Sequence, residues 1–260
     1  MPTARSHVVS SFTIIKGALI AETYRVFEVW DFDLNRFENL RRIKEENLLG
    51  AASANWLRDV AKVINRRFDP AGRDRPLVAL AKAGCSRTIW KPLVLWHITR
   101  DEYLLRDFLL HWLYARFKEG RSLLRAADVI PYLRSLPNTG VSWAGNWTDA
   151  TTARVATALL RMAADFDLLS GGSVKQFAAY RLPEDSFLYL LYAIAQSEPN
   201  AQRLIEAQDW HMYLMDAPDV EHELLRMHQY RKVNYEVAGT LSQLRLPHPS
   251  LCEHARSMCA

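Results

Sequence analysis

An apolar period of 3.6 residues runs through most of this chain, and it restricts the fold to a mostly α architecture. The period is plainest in two segments. Leu57, Val60, Ala61, Ile64 and Phe68 follow an i, i+3, i+4, i+7, i+11 pattern, and Val155, Leu159, Met162, Ala163 and Phe166 form a second stripe. Ser53 and Thr148 stand where N-caps of these two helices belong. Further helices are expected over residues 18–30, from a cap at Asp33 or Asn35 with Phe37, Leu40 and Ile43 on one face, and in short pieces up to Trp96. "DEYLLRDFLLHWLYARFK" (101–118) predicts a long helix packed on two sides. "RAADVIPYL" (125–133) predicts a short one limited or bent by Pro131.

Strand signals are confined to two glycine-centred stretches. "LLSGGSVKQFAAYRL" (168–182) reads as strand, turn, strand, and "KVNYEVAGTLSQLRLP" (232–247) repeats that pattern around Gly239. Each hairpin follows helices. Before the first come the helices over 101–118 and 125–133, a loop with Pro137, Gly140 and Gly145, and the helix capped by Thr148. Before the second come helices expected at 186–196, 200–208 and 218–230. Helix, helix, capped helix, hairpin is the order of a winged helix-turn-helix. With the corner "FDPAGRDRP" (68–76) in the first part, three regions are expected: a helical domain over 1–96, a winged-helix-like domain over 97–182, and a second such region over 183–260.

In a winged helix-turn-helix the third helix enters the DNA major groove and the wing touches flanking phosphates. Here Thr151, Arg154, Thr157, Ala158, Arg161 and Asp165 lie opposite the apolar stripe, and Lys175 sits on the hairpin. Threonine allows close approach and arginine pairs with guanine edges or phosphates; Asp149 and Asp165 oppose a phosphate backbone. The helix after Ser53 carries Asn55, Arg58, Lys62, Asn65 and Arg66 on its outer side and follows another helix after a short break, as in a helix-turn-helix. Arg58, Lys62 and Arg66 would make a second phosphate-facing stripe. Charge supports this, because residues 36–125 hold 19 Lys and Arg against 10 Asp and Glu, within a chain of net charge only +4. Winged helices also serve as protein–protein modules. The expected helix "PDVEHELLRMHQY", acidic at its start and without a basic stripe, suits partner contact better than DNA.

Several classes are disfavoured. The longest apolar run, "FLYLLYAIA" (187–195), is far shorter than the roughly 20 residues a membrane span needs, and the start of the chain lacks a signal-peptide pattern. Three scattered cysteines suit a reduced, cytosolic setting. There is no phosphate-cradling glycine motif, and His222, Glu223 and His228 miss the spacing of a metalloprotease helix. His97 and His111, on Leu- and Trp-rich helices, read as core histidines. Cys252, His254 and Cys259 lack a clear fourth metal ligand, so a frayed tail is the simpler reading. The expectation is a non-enzymatic protein with no cofactor or metal.

Five segments in order, "SFTIIKGALIAET", "EENLLG…ASANWLRDVAKVINRRF", "LLHWLYARFKEG" with "ADVIPYL", "WTDATTARVATALLRMAADFDLL" and "DWHMYLMDAPDVEHELLRM", resemble the BrxA family of bacteriophage exclusion (BREX) systems. The resemblance spans essentially the whole chain and lies in the ordered set rather than in one motif. It implies a small non-enzymatic component of a phage-defence locus that also encodes an ATPase, a DNA methyltransferase, a phosphatase-like protein and a Lon-like protease. It further implies a helical, DNA-binding protein with an N-terminal part similar to the NusB antitermination fold, and partners among double-stranded DNA and the other defence subunits. The alternative is a protein-interaction scaffold of the same complex without DNA contact. An inner-membrane assignment sometimes attached to the family disagrees with the hydropathy of this chain.

Overall fold

The computed structural model describes residues 8–136, 142–143, 147–238 and 241–258. The expected turn residues Pro137, Gly140, Gly145 and Gly239 lie outside them, as does Cys259 of the C-terminal Cys–His–Cys set. The chain starts with β1 (Val8–Val9) and six helices: α1 (Ser11–Lys16), α2 (Ile20–Glu28), α3 (Arg36–Glu45), α4 (Ala54–Arg67), α5 (Arg75–Lys82) and α6 (Arg87–Ile98). Asn35 closes a capping box with Glu38 at the start of α3. The α4 stripe is buried as its period requires, with Leu57, Val60, Ala61, Ile64 and Phe68 all at most 7% exposed. Two expectations change. Leu19 takes a left-handed conformation at φ 52°, so α2 begins at Ile20 rather than at residue 18. Phe37 does not share the burial of Leu40 and Ile43; it is 70% exposed.

The middle of the chain starts with one long helical run: α7 (Tyr103–Asp107), a wider π-helical stretch (Phe108–Leu113) and α8 (Tyr114–Lys118). Gly120, at φ 67°, turns the chain out of it. Then come α9 (Ala126–Ser135), β2 (Ser142–Trp143), α10 (Asp149–Asp165), β3 (Leu169–Ser170) and β4 (Gln176–Phe177). Helix α9 continues through Pro131 to Ser135, two residues beyond the expected end at Leu133. β3 and β4 pair antiparallel, and an isolated bridge adds Leu124 to the far side of the hairpin through two 2.8 Å bonds with Lys175. β1 pairs in parallel with β2.

The last part holds α11 (Glu184–Ala195), α12 (Ala201–Ile205), a 3-10 turn (Gln208–Tyr213), α13 (Ala217–Gln229), the antiparallel pair β5 (Asn234–Ala238) and β6 (Leu241–Arg245), and α14 (Leu251–Ser257). The protein is thus mostly helical with small antiparallel hairpins, as the period dictates. The expected frayed tail is instead a helix: Ser250 caps α14, Leu251 and Ala255 are buried, and α14 packs on α5 and α11. Helix α11 also packs on α6, and α1 packs on α10. The boundary expected after Trp96 falls inside the last turn of α6.

Two buried polar networks tie these parts together. Arg67, at the end of α4, is fully buried. Its Nε donates to Glu102 at 3.0 Å, Nη1 to the carbonyls of Gly17 and Ala18, and Nη2 to that of Thr13. Glu102, beside α7, also accepts from the Thr13 hydroxyl at 2.9 Å. In the second network His97 Nδ1 lies 2.6 Å from Asp74 and Nε2 lies 2.8 Å from the Tyr189 hydroxyl. Burial alone would raise the Asp74 carboxyl, but the hydrogen bond and charge of His97, with Arg73, hold it below the usual carboxylate range. Burial lowers His97 against the pull of Asp74. The imidazole is therefore neutral: Nδ1–H donates to the Asp74 carboxylate and Nε2 accepts from Tyr189. His97 is a satisfied core histidine, whereas His111, expected beside it in the core, has a side chain 56% exposed.

Breaking a buried ion pair from one side leaves an uncompensated charge, at a cost of about 3–5 kcal/mol. Glu102→Leu is therefore expected to lower the unfolding free energy measured in urea by that amount, and Arg67→Met combined with Glu102→Leu to recover much of it. A double variant less stable than Glu102→Leu alone would show that the guanidinium's carbonyl contacts matter more than the pair.

Candidate nucleic-acid interface

Helix α10 starts from a complete cap. The Thr148 hydroxyl accepts from the Thr151 backbone N–H at 3.2 Å, and the Thr148 and Thr151 hydroxyls lie 3.1 Å apart. The Thr157 hydroxyl donates back to the Ala153 carbonyl at 2.9 Å. Both threonines thus hold their hydroxyls against the helix. The stripe of Val155, Leu159, Met162, Ala163 and Phe166 is buried. Arg154 and Thr157 are exposed, Thr151 is half-buried, and Arg154 has no ion pair among the described residues.

The other half of α10 has a neighbour that periodicity could not reveal. Helix α1 packs along it, so Ala158 is buried rather than outward-facing. Arg161 stays exposed, but its Nη2 donates to the Ile15 carbonyl at 3.0 Å. A groove of about 360 Å³ between α1 and α10 is lined by Ile15, Arg154, Thr157 and Arg161. The two acids expected to oppose phosphate are both engaged. Asp149 pairs with Arg134 at 2.9 Å. Asp165 is pushed up by burial, while Arg161 and an Ala18 backbone N–H pull it down.

The hairpin stands on the same module. Lys175 lies on its returning side, half-buried, with Nζ donating to the Gly171 carbonyl at 2.6 Å. The Leu124 bridge sets the exposed Arg125 beside it, next to the start of α9. Sequence reasoning did not single out Arg125; the signal was its place directly after a residue that pairs with the hairpin, a long-range contact.

On α4, Arg58 and Lys62 are exposed. Among the described residues Arg58 is held by the Asn55 side chain, and Lys62 Nζ lies 4.5 Å over the Phe12 ring of α1. Arg66 is drawn inward instead: Nη2 donates to the Val8 carbonyl at 3.2 Å and Nε lies 3.7 Å from Glu102. The structure thus brings the two expected basic stripes together. Phe12, Ile15 and Lys16 form the outer face of α1, with Lys62 at one side and Arg161 at the other.

Metal-ligating groups do not gather. No three His, Cys, Asp or Glu residues among those described form a cluster that could hold a metal ion. His254 is 6% exposed and stacks on Tyr192 at 4.4 Å, while Cys252 is exposed. His228 Nδ1 accepts the Tyr235 backbone N–H, and Glu223 binds Arg226. No helix among the described residues is long and apolar enough to cross a membrane.

Fold and surface together define a class: a mostly helical protein in which two sets of helices each end in a short hairpin and a basic flank runs over the first set. The BrxA family model matches residues 11–192, and the chain belongs to that family, which sets it in the context of a BREX phage-defence system. No curated protein matches it.

Burial, with a smaller push from His248, lowers His254 to about 4 from its usual 6.5. A depressed folded value means the unfolded chain binds the proton first. The stability this group contributes is therefore complete above pH 6.5 and lost as pH falls toward about 4. His254→Phe, which keeps a ring against Tyr192, is expected to flatten the fall in melting temperature between those values. An unchanged fall would place the acid sensitivity elsewhere.

Proposed function

We propose that this chain is a non-enzymatic, cytoplasmic, duplex-DNA-binding component of the phage-defence system. In this reading residues 103–177 form a winged helix, with α10 in the major groove and the hairpin on the flanking backbone. The observation that carries it is the N-terminal half of α10, where Arg154 and Thr157 are exposed and Thr151 half-buried between the Arg125–Lys175 corner and the basic flank over α1 and α4. Groove-reading helices contact bases with their N-terminal residues, and this is the half α1 leaves uncovered. Both threonine hydroxyls are bonded to the helix itself, so few groups remain for base edges and phosphate contacts dominate.

A second reading, a scaffold for other subunits, draws on the last module. Leu225 on α13, Tyr230 just after it and Val237 on β5 are 45%, 67% and 49% exposed, and α13 begins with acidic groups. The two readings use different faces.

Each phosphate neutralised adds about −0.9 to the slope of log affinity against log salt. Contacts from Arg58, Lys62, Arg125, Arg154 and Lys175 would give a slope near −4.5 for a non-specific duplex, by that rule. Arg154→Ala with Lys175→Ala is expected to lower the slope by about two while costing about 0.5–1.5 kcal/mol of stability, the worth of the Lys175 bond to Gly171. Arg161→Ala removes the bond to Ile15 and is expected to cost about 0.5–1.5 kcal/mol as well as affinity. Fluorescence anisotropy at several salt concentrations, paired with melts, measures both. A flat salt response would overturn the duplex reading and leave the scaffold.

A further inference from the structure

Phe37 is the most exposed of the large apolar side chains among the described residues. Its helix has no use for it: Leu40 and Ile43 bury α3, and Phe37 at 70% exposed contributes little to the core. The ring stands in a groove of about 380 Å³ between α3 and α4, among Arg36, Lys44, Arg58 and Lys62, and no carboxylate lines that groove. Among the described residues none of these cations is in an ion pair, although Asp69 and Asp74 act on Arg36 from outside the groove. Arg36 caps the end of α4 through the carbonyls of Asn65 and Phe68. Arg58 meets the Asn55 side chain, Lys62 lies over Phe12, and Lys44 is exposed with no ion pair among the described residues. Helical spacing makes this a built surface: Phe37, Leu40 and Lys44 share one face of α3, and Arg58, Lys62 and Asn65 share one face of α4.

We propose that this groove binds single-stranded nucleic acid, with an unpaired base stacked on Phe37 and the adjoining phosphates held by Lys44, Arg58 and Lys62. A positive channel with an aromatic platform is the general solution for an unpaired strand, because the ring offers each base a face and the cations follow the backbone. A duplex cannot use the platform, since both faces of each base are covered by its neighbours. An acidic protein segment would satisfy the cations and leave the ring in water. The proposal shares Arg58 and Lys62 with the duplex reading but does not depend on α10.

The full-length protein, titrated with a labelled oligothymidylate of about 12 nucleotides, is expected to bind in a salt-dependent way. Phe37→Ala is expected to weaken that binding about tenfold, the effect of losing one stacked base, without changing the salt slope or the melting temperature. Phe37→Tyr should restore it and Phe37→Leu should not, which separates stacking from apolar contact. The duplex affinity should stay within about twofold in all three variants, because the duplex leaves the ring unused. Absence of oligothymidylate binding, Phe37→Leu equal to the unaltered protein, or labelled polyglutamate bound as tightly as the oligonucleotide would each overturn the proposal; the last would assign the groove to an acidic protein segment. Arg154→Ala with Lys175→Ala keeps the tests apart. Loss of duplex binding there with single-strand binding intact supports both sites, and a protein that binds only the single strand refutes the duplex reading while sustaining this one.

Discussion

The buried guanidinium of Arg67 is the contact on which the arrangement of the basic surface depends. It joins three elements far apart in sequence: α4, the segment ending α1, and the residue that opens the long helical run. A charge so deep is tolerated only when fully paired, and here Glu102 and three carbonyls meet it. Those carbonyls belong to Thr13, Gly17 and Ala18. A six-residue helix such as α1 is too short to be stable alone; its position is set by this network and by packing on α10. Since α1 separates the α4 cations from those of α10, one buried pair fixes the spacing of the whole basic flank.

The second network does the same for the other end of the molecule. Asp74 comes from the corner before α5, His97 from α6 and Tyr189 from α11. Helix α14 reinforces it by packing on α5 and α11. The middle module is tied to the last one through Tyr114, stacked on His211 at 3.9 Å, and through Lys118 with Asp216. The exposed pair contributes little by itself, but the stacked rings and the buried triad make the hairpin-bearing parts a connected body rather than beads on a linker.

Much of this was legible in the sequence. The α4 and α10 stripes, the caps at Asn35 and Thr148 and both hairpins follow from period and turn chemistry, because these are local causes. Long-range packing was not legible. Nothing local to α10 tells that α1 covers Ala158 and takes a hydrogen bond from Arg161. Nothing local to α4 tells that Arg66 is drawn toward Glu102 while Arg58 stays outside. Phe37 misled for the opposite reason: its spacing fits the buried face, yet it lies in the first turn, where the helix overhangs the groove instead of the core. The tail was misread because a C-terminal helix is stabilised by α5, some 170 residues earlier in the chain.

The position of α1 also bears on how a duplex would be read. With α1 against the second half of α10, insertion is limited to about the first two turns of that helix. There the Thr151 hydroxyl serves the cap and the Thr157 hydroxyl bonds to Ala153, which leaves Arg154 as the one long side chain able to reach a base edge from the helix. One arginine discriminates among bases by only about 1–3 kcal/mol, whereas the surrounding cations act on phosphates that every sequence presents. On the proposed reading, the packing that sets α1 between the two groups of cations therefore favours binding indifferent to sequence. Such a protein would engage duplex DNA by its backbone, and any choice of target would have to come from partner subunits or from the structural state of the nucleic acid.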